Sequence, residues 1–249
     1  MITQKRLGII GGLGSETSCS FCLSVNNKVR GLTGCQPDIV MENLPVSIEA
    51  ETKIIRAELN EDHFNLLTKA VKRLNRAEVD FIVVPCNTVH TFLEQLRSIS
   101  EVPILSIIEE TVRECVKKSF KKVALLASTK TVKEELFLKE LEKETIGLEL
   151  PSLEDQLLVT EIILKILAGE ADKKDKEFLL RLILEFKQRG AEAVILGCTD
   201  LPLLITSEDC DLPLINSCQA LENASIRCLV EKPQQIFLSK PLNKSHTFM

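Results

Sequence analysis

The sequence predicts an α/β protein of two pseudo-symmetric domains, each a small parallel sheet flanked by helices, with an active site in the cleft between them. Three observations predict it. Short apolar runs alternate with longer helical patterns, as parallel strands joined by helical crossovers do. The runs fall into two sets that align with each other. The third run of each set stops on a cysteine, in "DFIVVPCNTVH" (Asp80–His90) and "EAVILGCTDLP" (Glu192–Pro202).

The first set reads "LGIIGG", "PDIVME", "DFIVVP" and "PILSII", and the second "KVALLAS", "LELPS", "AVILG" and "LPLIN". The opening strand leaves through "GGLGS", Gly11–Ser15. This turn lacks the third glycine of a dinucleotide fingerprint. Two readings of it stand: close backbone approach to a small substrate at Gly12 and Leu13, or a tight turn. "KRLGIIGGLGS" from Lys5 matches "KKVALLASTKT" from Lys121. Leu67, Val71, Leu74, Asp80, Ile82, Val83, Val84 and Cys86 then fall without a gap on Leu179, Ile183, Phe186, Glu192, Val194, Ile195, Leu196 and Cys198, and "VPILS" from Val102 meets "LPLIN" from Leu212. An internal duplication explains this; the alternative is that any two strand–helix units look alike. The expected domains are 1–101 plus 212–230, then 102–211, with 231–249 as a polar C-terminal extension in which Phe237 and Leu238 are candidates for docking. "GEADKKDKE", Gly169–Glu177, reads as a solvated loop and helix start.

Composition narrows the function. The 249 residues are 45% hydrophobic and 27% charged, which is globular. No apolar run approaches the roughly 18 residues of a membrane span, and the N-terminus enters a strand-like run without a leader signal. The expectation is a soluble, cytoplasmic protein with no membrane partner. Nine cysteines form an odd, scattered set that suits reduced thiols. Cys19, Cys22, Cys115, Cys210, Cys218 and Cys228 read as small hydrophobes, "CSFC" at Cys19–Cys22 included, because it sits inside a helical pattern; Cys35 lies in a turn and is undecided. Net charge is −5 and Trp and Tyr are absent, which disfavours nucleic acid. His63, His90 and His246 are not clustered, so no metal site is expected.

Cys86 and Cys198 each fall at the C-terminal end of a strand, where open α/β sheets bind ligands. Helical patterns come after both, so backbone N–H groups at a helix start are expected to lower the thiol pKa from its free value of about 8.5. Asn87, Thr88 and Thr199 add donors for a carboxylate. Two opposed thiols suit inversion of a carbon stereocentre: one removes a proton from one face and the other returns a proton to the opposite face. Both thiols should then be free, flanking a small cavity with room for a few heavy atoms. His90, four residues beyond Cys86, reads as a nucleophile's partner, an orienting or capping residue, or a structural histidine.

At "GIIGGLGS", "VVPCNTVH" and "ILGCTDLPLL" the sequence resembles the aspartate/glutamate racemase family, over about Lys5 to Cys228. The resemblance implies a racemase that works without pyridoxal phosphate or other cofactor, Cys86 and Cys198 as paired acid and base, and Asn87, Thr88 and Thr199 on the α-carboxylate. It implies an amino-acid or dicarboxylate substrate, aspartate or glutamate first, and a homodimer. Asp200 stands where the family commonly has glutamate, and Ser15 where proline is frequent. Some aspartate-specific members carry an arginine after the second strand, where this chain reads "NLPVSIEAE", and a lysine before "AGE", where it has Leu167; Lys53, Arg56 and Lys165 are nearby but out of register. Hydantoin racemases, maleate isomerases and arylmalonate decarboxylases share the scaffold, and the pair of cysteines favours racemisation. A cleft that binds a small ligand without turnover is the other reading.

Overall fold

A computed structural model describes residues 5–58 and 62–230; the C-terminal extension and His246 lie outside the described residues. Among the described residues, eight short strands are interleaved with ten α-helices. In the first half come β1 (Arg6–Gly11), α1 (Ser15–Thr33), β2 (Asp38–Asn43), α2 (Ile48–Ile55), α3 (Asp62–Arg76), β3 (Phe81–Val83), α4 (Leu93–Ile99), β4 (Ile104–Leu105) and α5 (Ile107–Lys117). The second half follows with β5 (Lys122–Leu126), α6 (Thr129–Lys133), α7 (Leu136–Lys143), β6 (Gly147–Glu149), α8 (Leu153–Ala168), α9 (Lys173–Gln188), β7 (Ala193–Leu196), β8 (Leu214–Asn216) and α10 (Ser217–Val230), with the same strand order but two helices after its first strand and no α-helix between its last two.

The two sheets have the orders β2-β1-β3-β4 and β6-β5-β7-β8, every pair parallel. Each predicted run contains a strand, although "PILSII" is strand only at Ile104–Leu105 and then opens α5, and equivalent runs hold equivalent places. At two strands the expected domain boundaries are corrected. Ile82 and Val83 of β3 pair with Ile104 and Leu105, so β4 belongs to the first sheet, whereas β8 pairs with β7 in the second. Sheet membership is set by the backbone ladder, which apolar pattern alone does not specify. The return of the chain to the first half comes one element later, where α10 packs on α1 and α5.

Both faces of each sheet are covered, as parallel sheets require. Leu7, Ile9, Phe81 and Val83 point into one buried cluster with Val123, Leu125, Ala193 and Ile195, and with side chains of α1, α5, α7 and α10. Ile10, Ile82, Val84, Ala124, Leu126, Val194 and Leu196 point the other way, into a cluster with α2, α3, α4, α8 and α9. The two-residue period of a strand sorts each run between these layers, and both layers continue from one half into the other. Among the described residues no helix is long and apolar enough to cross a membrane.

Candidate active site

Cys86 lies three residues past β3 and Cys198 two past β7, so both thiols leave the C-terminal edges of central strands. Gly197 permits this at the second: a side chain there would put Cβ 2.6 Å from a Leu125 methyl. The turn after each cysteine is tighter than the expected α-helix start. Thr88–Phe92 is a 3₁₀ turn that leads into α4, and Leu201–Leu203 is a 3₁₀ turn alone, with Pro202 in its first turn. The two cysteines, both free thiols, line one cavity with Leu13, Glu51, Asn87 and Asp200 among its other walls. Its volume is about 20 Å³, space for one water rather than the few heavy atoms expected, so the cleft is closed.

Hydrogen bonds cross between the halves on both sides of this cavity. From the first half, the Thr88 hydroxyl reaches Ser128 at the start of α6, 3.0 Å away, and Ser128 lies 3.0 Å from Thr131. From the second half, Asp200, at the same distance beyond its cysteine, accepts from the Thr17 hydroxyl in α1 at 2.5 Å. Its other oxygen is 3.5 Å from Cys198 Sγ, positioned to accept the thiol proton. The pseudo-symmetry extends to these contacts: each post-cysteine loop docks on the first helix of the other half.

The orientation of Asn87 is fixed by its neighbours. Ser217 Oγ donates to the carbonyl of Leu196 at 2.8 Å and so must accept from Asn87 at 3.0 Å, which makes that partner the amide nitrogen. Asn87 Oδ1 is left buried and, among the described residues, without a partner, in a residue only 2% exposed. The group it offers is thus an acceptor, in contrast to the carboxylate donor expected from the sequence. His90 donates from Nδ1 to the Cys86 carbonyl at 2.8 Å and accepts the Ile107 N–H on Nε2 at 3.1 Å. It holds the Cys86 backbone to the start of α5 and leaves no ring nitrogen for the sulfur, contacts that the orienting and the structural readings share and a nucleophile's partner does not.

Burial dominates the electrostatics. It pushes the Cys86 thiol up to about 12, against a smaller opposing effect of the Val89 and Thr88 amides. Burial, then the nearby Asp200 carboxylate, raises Cys198 as well. The expected lowering of the thiol pKa is thus reversed: the N–H groups are present, but a closed cavity penalises the thiolate more than they favour it. Burial likewise raises Asp200 and Glu51, and lowers His90 to about 4, which keeps its ring neutral.

Leu13, Thr88 and Thr199 also line the cavity. Gly12 does not. Its φ is +86° and a Cβ there would lie 2.3 Å from the Leu44 carbonyl oxygen, so its close approach is to the chain's own backbone. The turn is tight at Gly12, while Leu13 faces the cavity. Among the described residues no group of three or more His, Cys, Asp or Glu side chains is placed to hold a metal.

The family described as Asp/Glu/Hydantoin racemase matches residues 10–224. This chain belongs to that family. Membership places it among racemases, in agreement with the resemblance carried by the two cysteine motifs. A broad specificity amino-acid racemase of Bacillus subtilis, RacX, is 25% identical over 225 residues, covering 88% of this chain and 96% of that protein. Glutamate racemase of Aquifex pyrophilus is 33% identical over 183 residues, covering 72% of this chain and 66% of that one. The solved structure of Picrophilus torridus aspartate racemase superposes with a TM-score of 0.75 at 25% identity, covering 90% of this chain and 94% of that one.

Within this family member, Thr17, Glu51, Ser128, Thr131 and Ser217 are site residues that sequence reasoning missed. Each sits in the first turns after a strand end. Ser128 also carries the helix-capping signal of a serine before "TKT", accepting the Thr131 N–H.

Proposed function

We propose that this protein is a cofactor-independent amino-acid racemase in which Cys86 and Cys198 act on opposite faces of the α-carbon. The observation that carries the proposal is the pair of free thiols at equivalent strand ends, lining one closed cavity. One sulfur, as thiolate, removes the α-proton; the other, as thiol, delivers its proton to the opposite face, and the reverse assignment runs the reaction backwards. Asp200 accepts from the Cys198 thiol and favours its protonated form, which supports Cys198 as the group that delivers the proton in one direction. An α-ammonium group entering the cavity supplies positive charge that favours a thiolate. The unpartnered Asn87 Oδ1 is an acceptor for that ammonium, and the amides and hydroxyls of Thr88 and Thr199 are donors for the α-carboxylate.

Replacing either cysteine tests this. Cys86→Ala and Cys198→Ala should each abolish chiral change in a panel of L- and D-amino acids without added pyridoxal phosphate. In deuterium oxide the inverted product of the unaltered enzyme should carry solvent deuterium at the α-carbon. Full activity in either variant, or inverted product that keeps its original hydrogen, would overturn the two-thiol mechanism.

A further inference from the structure

The closed cavity has a neighbour. Glu51 and Leu167 line both the chamber at the thiols and an outer chamber of about 340 Å³ between α2 of the first half and α8 of the second. A group held at the thiols and extended past these two residues enters the outer chamber. Leu167, Ile54 and Ile55 give the passage an aliphatic wall.

The charges along this route are unevenly satisfied. Its two bases are already engaged: Arg56 makes a double hydrogen bond to Glu161, at 2.8 and 3.1 Å, and Lys165 pairs with Asp175 at 2.7 Å. Glu51 and Glu170 face the chamber with no cation against them among the described residues. One oxygen of Glu51 accepts the Gly14 N–H at 2.9 Å, which fixes the carboxylate at the junction of the two chambers. Asp200 is a further carboxylate on the inner wall, and the inner wall carries no lysine or arginine.

An acidic side chain extended along this route would place its carboxylate against Glu51 in a partly buried setting, where like charges repel strongly. A cationic one would satisfy the same carboxylate with a charge-assisted hydrogen bond. We infer that the substrate is a diamino acid: its methylenes pass Leu167, and its terminal ammonium rests on Glu51 at the mouth of the outer chamber. The inference rests on the α-carbon lying between Cys86 and Cys198, as proposed above. It assigns Glu51 as the specificity-determining residue.

The test uses three probes of similar length: lysine, norleucine, which lacks the terminal charge, and glutamate. Turnover is read by α-proton exchange in deuterium oxide and chiral chromatography. Affinity is read by calorimetry on the Cys86→Ala/Cys198→Ala double variant. Lysine should exceed norleucine and glutamate by about tenfold or more in both, the worth of one charge-assisted hydrogen bond. Glu51→Gln, whose side-chain oxygen can still accept the Gly14 N–H, should erase the preference for lysine over norleucine. Leu167→Lys should raise glutamate relative to lysine, and it decides the matter if Glu51→Gln does not fold.

Glutamate equal to or better than lysine, or a lysine preference that survives Glu51→Gln, overturns the inference while leaving the racemase reading intact. Selective lysine binding with no exchange at any α-carbon supports the side-chain assignment and overturns the racemase reading. Neither binding nor exchange with any probe overturns both.

Discussion

His90 shows how one side chain fixes the backbone of a cysteine without touching its sulfur. Both of its nitrogens are used on backbone, one on the Cys86 carbonyl and one on the Ile107 amide, and only the neutral ring can do both. Its pKa falls from 6.5 to about 4 because the buried ring resists charging. The folded protein therefore binds fewer protons than the unfolded chain between those values. The stabilisation is full above about pH 6.5 and is lost as pH falls toward 4. Relative to a His90→Asn variant, the protein should lose about 3 kcal/mol more stability between pH 7 and pH 4. Urea unfolding of the two at both pH values measures it, and parallel pH profiles would exclude a buried neutral ring.

At the scale of elements, the turns after the strands carry the site. Gly12 turns the chain out of β1 at positive φ and lies against the Leu44 backbone. Gly34, which caps α1, also has positive φ but faces open space. An alanine at position 34 meets only the strain of a left-handed residue, about 1–2 kcal/mol. Gly12→Ala meets that strain and a backbone clash that no rotamer relieves. It should cost clearly more, beyond about 3 kcal/mol, and displace Leu13 from the cavity wall. Chemical denaturation of both variants compares them, and equal losses would show that the Gly12 turn is not held against Leu44.

At the scale of the whole molecule, the cleft must open for any amino acid to enter a chamber of about 20 Å³. The Arg56–Glu161 pair ties α2 to α8 across the outer chamber, with both side chains about half exposed. Such a pair contributes little to stability, about 1 kcal/mol or less. Its place across the route gives it a larger effect on opening. Arg56→Ala should leave global stability within about 1 kcal/mol while Cys86 and Cys198 alkylate faster than in the parent, with exposed Cys19 and Cys35 as internal standards in peptide mass spectrometry. Unchanged alkylation of the two cavity thiols would mean that the pair is not part of the closure.

The eight strands, their division into two similar sets and the placing of a cysteine at each third strand end were legible in the amino-acid order alone, because these are matters of local period and turn chemistry. Strand alternation sorts Ile82 from Val83 whatever the rest of the chain does, and "PCN" and "GCT" end a buried run wherever they occur. That β4 and β8 stay with the sheets preceding them was not legible, since backbone pairing has no side-chain signature. On thiol acidity the local pattern pointed the wrong way, because nearby N–H groups can be read from a motif whereas the depth of burial depends on how two halves close. The orientation of Asn87, set by Ser217 some 130 residues away, and the carboxylate of Glu51 at the cavity wall were decided by tertiary packing. Each depends on elements remote in sequence meeting across the cleft, and no local pattern records such a meeting.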